Sequence, residues 1–159
     1  SSPSMKWVNP PVAYMLHAGV PLLRQAGVHF PGLTSVTPGT DLSRIALEAY
    51  PGLLARELLG PSPRSYKNDA KALQTPERLI ARKDMLTSLE HGQTRLGLRL
   101  KLTHAQRERL IDDATGDSLD AVLCLVQAAW AWQRRQAGDQ RWGLPDCDPL
   151  EGWIVTAAA

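Results

Sequence analysis

Cysteine, phenylalanine and long apolar runs are scarce in this 159-residue sequence, which contains two Cys and one Phe. Cys124 and Cys147 belong to no CxxC motif and no Cys/His cluster, which argues against a disulfide framework or a structural zinc site. The longest strongly apolar run, Leu119–Trp132, is too short to span a bilayer core of roughly 30 Å. No basic segment followed by an apolar one opens the chain. We therefore expect no secretion signal, no membrane association and a cytoplasmic protein.

Several common catalytic motifs are also missing. The sequence has no GxxxxGK[ST] phosphate loop, no GxGxxG after a strand, no HExxH and no GxSxG. The four histidines are scattered, and none has a carboxylate or a cysteine at metal-ligand spacing. Nothing in the pattern indicates a Ser/His/Asp triad.

The charges are unevenly distributed although the net charge is only +2. Residues 64–109 contain eleven basic and five acidic side chains, whereas residues 110–159 contain three basic and eight acidic ones. A basic middle beside an acidic end suits a protein that brings a polyanion to carboxylates that bind a metal. Two solvated faces of opposite sign are the simpler interpretation.

The apolar spacing and the turn residues predict mainly helices. One helix is expected from Val12 to Ala26, broken or kinked at Gly19 and Pro21. Further helices are expected over Leu53–Leu59, from Thr75 as N-cap to about Glu90, over Thr103–Ile111, and from Asp117 to about Gln136. The last of these is apolar nearly all round, which indicates burial on several sides.

Strand signals are few. Arg44–Tyr50 is the best candidate, and it stops at Pro51. The apolar segment Gly152–Val155 is predicted to be a short strand or a packed tail. A buried helix needs more cover than one strand gives, so either Leu96–Leu102 hides strands or the native protein has more chain before Ser1.

Three carboxylates are the main candidates for chemistry. Glu48 lies near the carboxyl end of the predicted strand, at the edge where ligands collect in open α/β sheets. Asp117 and Asp120 are three residues apart at the start of a helix, so both face roughly the same way. Such a cluster can bind Mg²⁺ or Mn²⁺, which prefer carboxylate oxygens. Two such ions could activate water and stabilise the leaving oxygen of a phosphodiester.

The same residues have a purely structural alternative. Asp117 would be a good N-cap, and Asp120 would interact favourably with the positive end of the helix dipole. Glu48 could pair with an arginine. Arg64 and Lys67 lie in a polar segment and could contact phosphates, although an exposed loop lysine usually has no such role.

Several short motifs together resemble an uncharacterised family, domain of unknown function 429, whose members are described as predicted nucleases with an RNase H-like fold. The motifs occur in the family's order and cover most of the chain from about Asn9: Glu48–Gly52, Ser65–Lys67, Gln74–Arg78, Gly116–Ala121 followed by Gln127–Ala129, and Glu151–Ile154.

The resemblance implies metal-binding roles for three positions. Glu48 matches the acidic residue of the fourth strand, and Asp117 and Asp120 match the D-x-x-D-A pattern of the final helix. The family's aspartate on the first strand has no match in this sequence. Family members extend further at the N-terminus, so without that part we expect no catalysis and a fold that depends on a partner chain or on dimerisation.

The sequence therefore predicts an α/β, RNase H-like fold, with residues 1–159 forming a single domain or only its C-terminal, helix-rich portion. The expected function is Mg²⁺- or Mn²⁺-dependent hydrolysis of nucleic acid, with Glu48, Asp117 and Asp120 as catalytic metal ligands and Arg64 and Lys67 as phosphate contacts. A non-catalytic binding or scaffolding protein of the same fold is the alternative. A small-molecule phosphohydrolase that uses the same acids is a third hypothesis.

Overall fold

The structure, a computed structural model, describes residues 10–60 and 64–158. Within these residues the chain divides into two compact units. One unit contains helix α1 (Pro10–Gln25), the loops up to Leu47, and Asp146–Gly152. The other unit runs from Glu48 to Pro145 and resumes at Trp153; it holds the remaining helices, which are α2 (Pro51–Leu59), α3 (Pro76–His91), α4 (His104–Asp112) and α5 (Asp117–Gln136).

The predicted α/β, RNase H-like fold is wrong, because the described residues form five α-helices and no strand. The segment Arg44–Tyr50 makes a single parallel bridge, between His29 and Ile45. Its hydrogen bonds run from the His29 N–H to the Arg44 oxygen at 2.9 Å and from the Ala46 N–H to the His29 oxygen at 3.0 Å. A strand is stabilised by a ladder of such bonds, and in the described part of the chain no strand lies beside the rest of this segment.

The other predicted strand segments are irregular too. Leu96–Leu102 connects α3 to α4, and the Leu100 N–H donates to the Leu89 oxygen at 3.0 Å. Near the C-terminus the packed tail is the correct alternative. Val155 and Thr156 are buried there, and the Val155 N–H donates to the Glu48 oxygen at 2.7 Å.

Helix boundaries with strong capping signals are confirmed. Helix α3 begins after Thr75 with Pro76 in its first turn, and it ends at Gly92, whose φ of 70° is left-handed. Helix α4 begins with a capping box in which Thr103 and Gln106 each bond the other's backbone N–H. Of the predicted break or kink in α1, the break is wrong, because the helix continues through Pro21 to Gln25.

The core of the second unit lies around α3. Helix α2 packs against α3 and α5, and α3 also packs against α4. One face of α3 supplies Ala81, Met85, Leu86 and Leu89, all essentially inaccessible to solvent. This spacing brings the four side chains to one face of the helix.

Helix α5 buries only one side, contrary to the prediction of burial on several sides. Leu119, Leu123, Val126 and Ala131 face the core, whereas Leu125 is 61% exposed. No helix of the described residues is long and apolar enough to cross a membrane.

Candidate functional site

The candidate site lies where the extended segment 64–70 meets the turn between α4 and α5. The Asn68 N–H donates to the Ala114 oxygen at 3.2 Å. The Gln74 amide also donates to the Ala114 oxygen, at 3.1 Å, and to the Asn68 oxygen. These bonds join two segments at least forty residues apart, since Gln74 and Ala114 are separated by 40 positions and Asn68 lies further upstream.

A buried arginine holds the same junction from inside the core. The Arg82 side chain of α3 is only 3% exposed. Its Nε donates to the Ile111 oxygen at 2.6 Å and its Nη1 to the Tyr66 oxygen at 2.7 Å. Arg82 therefore connects α3 to the end of α4 and to the segment that carries the site.

Lys67 and Asp120 form an ion pair although they are 53 positions apart in the sequence. The Lys67 ammonium lies 2.5 Å from one carboxylate oxygen of Asp120, and the Tyr66 hydroxyl lies 2.5 Å from the other. The Asp120 side chain is 20% exposed and that of Lys67 38% exposed. Both oxygens of this partly buried carboxylate thus have a donor on the same short segment.

Two further carboxylates lie beside the start of α5. The Thr115 hydroxyl is 2.7 Å from an Asp113 carboxylate oxygen and 3.1 Å from an Asp117 carboxylate oxygen. Asp117 is exposed and lies one helical turn before Asp120. We call Tyr66, Lys67, Asp113, Asp117 and Asp120 the Asp120 cluster.

The Asp120 charge changes the acidity of its neighbours. Burial, together with the hydrogen bond to Asp120 and the charge of that carboxylate, raises the pKa of the Tyr66 hydroxyl well above its usual range. Tyr66 is therefore a neutral hydrogen-bond donor at all physiological pH values. Burial and the same charge also raise the pKa of the Cys124 thiol, which makes it a poor nucleophile.

The remaining predicted site residues lie apart from these bonds. Arg64 pairs with Asp84 at 2.7 Å, and both side chains are well exposed. Glu48 lies shortly before α2, and its side chain is exposed. Its backbone oxygen accepts the hydrogen bond from the Val155 N–H. Of the five predicted residues, the structure joins Lys67 to Asp120 directly and places Asp117 one turn away.

No three His, Cys, Asp or Glu side chains within residues 10–60 and 64–158 form a group that could hold a metal ion. Glu48, Asp117 and Asp120 are therefore not such a group, and their catalytic and metal-binding roles stay predictions. Asp117 and Asp120 do supply hard oxygen donors from one helical turn. Mg²⁺ is often held by only one or two carboxylates together with water and substrate phosphates.

The predicted capping role belongs to a different aspartate. Asp117 is the first residue of α5, and the residue in the N-cap position is Gly116. Asp113 accepts the Ser118 N–H at 2.8 Å and the Gly116 N–H at 3.3 Å. These donors are among those that a helix start leaves without partners in the helix itself. The sequence did not predict that a carboxylate at the end of α4 would accept hydrogen bonds from N–H groups at the start of α5.

Asp113→Ala is expected to destabilise the protein more than Asp117→Ala does. Loss of a capping carboxylate costs about 1 kcal/mol. Burial acts to raise the pKa of Asp113, but the hydrogen bonds from Thr115, Ser118 and Gly116 outweigh it and lower the pKa from 3.8 to about 2. The stabilisation is therefore fully present above pH 3.8 and is lost as the pH falls through about 2.

Urea unfolding at pH 7 and at about pH 2 would test this pH dependence. The difference in the free energy of unfolding between the wild type and Asp113→Ala should shrink at the lower pH. Asp117→Ala is the matched control, since it removes a carboxylate from the same turn. A larger loss from Asp117→Ala than from Asp113→Ala at pH 7 would contradict the capping assignment.

The comparisons with known proteins give no relative: no family model, curated protein or solved structure matches this chain. The resemblance to domain of unknown function 429 therefore stays a prediction based on the short motifs.

Proposed function

We propose that the Asp120 cluster is the phosphodiester-handling site of a cytoplasmic nuclease that uses Mg²⁺ or Mn²⁺ and acts on nucleic acid. The observation that carries the proposal is the 2.5 Å contact between Lys67 and Asp120. The sequence singled out Lys67 as a phosphate contact because it lies in a polar segment, and Asp120 as a metal ligand because it lies beside Asp117 at the start of a helix. Their meeting in one partly buried place supports a common role.

The composition of the cluster suits a phosphate near a divalent ion. A lysine ammonium is a compact positive charge that binds phosphate oxygens well. Asp117 and Asp120 supply oxygen ligands of the type that Mg²⁺ and Mn²⁺ prefer. A bound ion would stabilise negative charge that develops on the phosphodiester. In that state Lys67 would contact phosphate in place of Asp120, while Tyr66 keeps its bond to the carboxylate.

The charge distribution agrees with this proposal. The cluster joins Lys67 of the basic residues 64–109 to carboxylates of the acidic residues 110–159, so a polyanion would approach along the basic part.

Asp120→Asn should abolish cleavage while leaving the fold intact. Loss of a partner outside the first coordination shell costs about 10–100-fold in activity, so loss of a ligand should cost about 100-fold or more. The measurement is the cleavage of labelled single- and double-stranded DNA and RNA by the full chain, with Mn²⁺ or with EDTA. Circular dichroism of the variant would check its fold.

Asp112→Asn is the matched control, because Asp112 is exposed and directly precedes Asp113 but is not a member of the cluster. It should cleave like the wild type. Cleavage that persists in Asp120→Asn, or that needs no divalent ion, would contradict the proposal. Turnover of a generic phosphate ester without nucleic-acid binding would instead favour a small-molecule phosphohydrolase.

A non-catalytic binding role is the second candidate, and one observation favours it. Both oxygens of Asp120 already have donors, Tyr66 and Lys67, so the carboxylate is satisfied without an ion. In that case Mn²⁺ would not change the melting temperature of the wild type. A Mn²⁺-dependent rise in melting temperature that disappears in Asp120→Asn would decide against the binding role.

A further inference from the structure

The outward side of α5 is an apolar face along most of the helix. Leu125 is 61% exposed and Trp132 55% exposed, although both are large hydrophobic side chains. Three exposed alanines lie between and beside them. Positions separated by three or four residues share one side of a helix, and this set follows that spacing. We call it the outer face of α5: Ala121, Leu125, Ala128, Ala129 and Trp132.

We propose that the outer face of α5 binds the same face of a second copy of this chain, with the two helices antiparallel around a two-fold axis. A two-fold interface uses the same patch on both subunits, so the patch must be complementary to itself. The outer face of α5 meets that requirement in both side-chain size and charge.

The sizes match around one point of the helix. The position halfway between Ala121 and Trp132 is also halfway between Leu125 and Ala128. A two-fold axis at this point places Trp132 of the partner subunit opposite Ala121, and Ala128 of the partner subunit opposite Leu125. Each large side chain then meets a small one. This alternation allows helix axes to approach to the usual 8–10 Å.

The charges match in the same register. Helix α5 has Asp117 in its first turn and Arg135 in its last. They are eighteen residues apart, which is five whole turns at 3.6 residues per turn, so both lie along the same edge of the outer face. The axis defined by the side-chain sizes brings Asp117 within one residue of Arg135 of the partner subunit, twice in each dimer. A parallel pair would instead place like charges together, which is unfavourable.

Neighbouring aromatic rings hold the basic end of this face in place. The Arg135 guanidinium lies 5.8 Å from the centre of the Trp142 ring. The Trp132 and Trp142 rings are 5.9 Å apart, centre to centre. Because the Trp142 indole is buried, Trp132 and Arg135 are ordered before association and lose little conformational freedom on binding.

Sedimentation equilibrium of the full chain would test the interface, with charge-swap variants as the decisive step. The wild type should form a dimer. In the Asp117→Arg variant both pairs become two arginines, and in Arg135→Glu both become two acids, so each variant alone should dimerise at least about tenfold more weakly. An equimolar mixture of the two variants should restore a dimer, because both pairs in the mixed dimer again have opposite charges.

Two other variants complete the test. Leu125→Glu places a charge at the centre of the outer face and should give a monomer with unchanged circular dichroism. Arg109→Glu, an equal change of charge on α4, should leave the dimer intact. A wild type that stays monomeric at about 100 µM would overturn the proposal, since specific interfaces of standard size bind far more tightly. Single variants that dimerise as tightly as the wild type, or a mixture that dimerises no more tightly than either variant alone, would overturn the antiparallel register. The readout is association, so the result is independent of phosphodiester cleavage.

Discussion

Arg82→Met is expected to lower the free energy of unfolding by about 3 kcal/mol, because each hydrogen bond from a charged group contributes about 1.5–3 kcal/mol and the carbonyls left behind are buried. Arg82 donates to the Ile111 and Tyr66 oxygens from a side chain that is 3% exposed. Methionine keeps most of the side-chain volume and removes both donors. The loss therefore reports the two bonds more than a cavity.

The surroundings of Arg82 act on the pKa of its guanidinium in opposite directions. Burial lowers the pKa of the guanidinium, while the negative charges of Asp113 and Asp112 act to raise it. Breaking one side of a buried charged contact is usually more costly than replacing both sides. The substitution should also free the Tyr66 carbonyl and so loosen the segment that presents Lys67 to Asp120.

Chemical denaturation of the wild type and of Arg82→Met would measure this loss. Lys83→Met is the matched control, because Lys83 is the next residue of α3 and is exposed. It should change the free energy of unfolding by less than about 0.5 kcal/mol, as most surface substitutions do. Equal effects of the two substitutions would mean that the Arg82 bonds contribute nothing to stability.

The sequence predicts the helices better than it predicts the strands and the pairing of distant segments. Thr75 with Pro76, and Thr103 with Gln106, are local signals, and the helices begin where those signals indicate. The strand prediction failed because a short apolar run has no partner encoded nearby. Arg44–Tyr50 can become a strand only if distant segments pair with it, and in the described residues only His29 does so.

The site was predictable in its parts but not in its assembly. The sequence pointed to Lys67 and to Asp120, yet nothing local indicates that residues 53 positions apart form an ion pair. Arg82 was missed, although a signal for it exists. It occurs at the same helical spacing as Met85, Leu86 and Leu89, which places a charged residue on the core face of α3. An arginine in that position indicates a buried network of hydrogen bonds.

The apolar sequence of α5 led to a wrong prediction of burial on several sides. A helix that is apolar nearly all round was expected to be covered on several sides, but the chain covers only the side of Leu119 and Leu123. The uncovered side is the outer face that we assign to a second copy. An apolar pattern indicates a need for cover, but it cannot tell whether that cover comes from the same chain or from another.

Gly116→Ala is expected to lower the free energy of unfolding by about 3 kcal/mol and to push Lys67 away from Asp120. Gly116 is buried with a φ of 75°, and a left-handed conformation costs a residue with a side chain about 1–2 kcal/mol. An added methyl would also lie 2.8 Å from the Lys67 Cβ and 3.3 Å from a Tyr66 ring carbon. Overpacking of this kind typically costs a further 1–3 kcal/mol or so.

Gly97→Ala separates the two causes, because Gly97 has a φ of 67° but no atom within 4 Å of an added Cβ. It should cost only the backbone contribution of about 1–2 kcal/mol. The difference between the two variants, measured by urea unfolding, then gives the energy of the contact with Lys67. The Lys67 Cβ is close to the backbone and cannot move as freely as the end of the side chain, so the whole side chain should move and its ammonium should shift away from Asp120. Any metal-dependent cleavage should therefore fall in Gly116→Ala but not in Gly97→Ala. Equal losses of stability in both variants would show that Gly116 is needed only for its backbone conformation and not for the close approach of Lys67 to the start of α5.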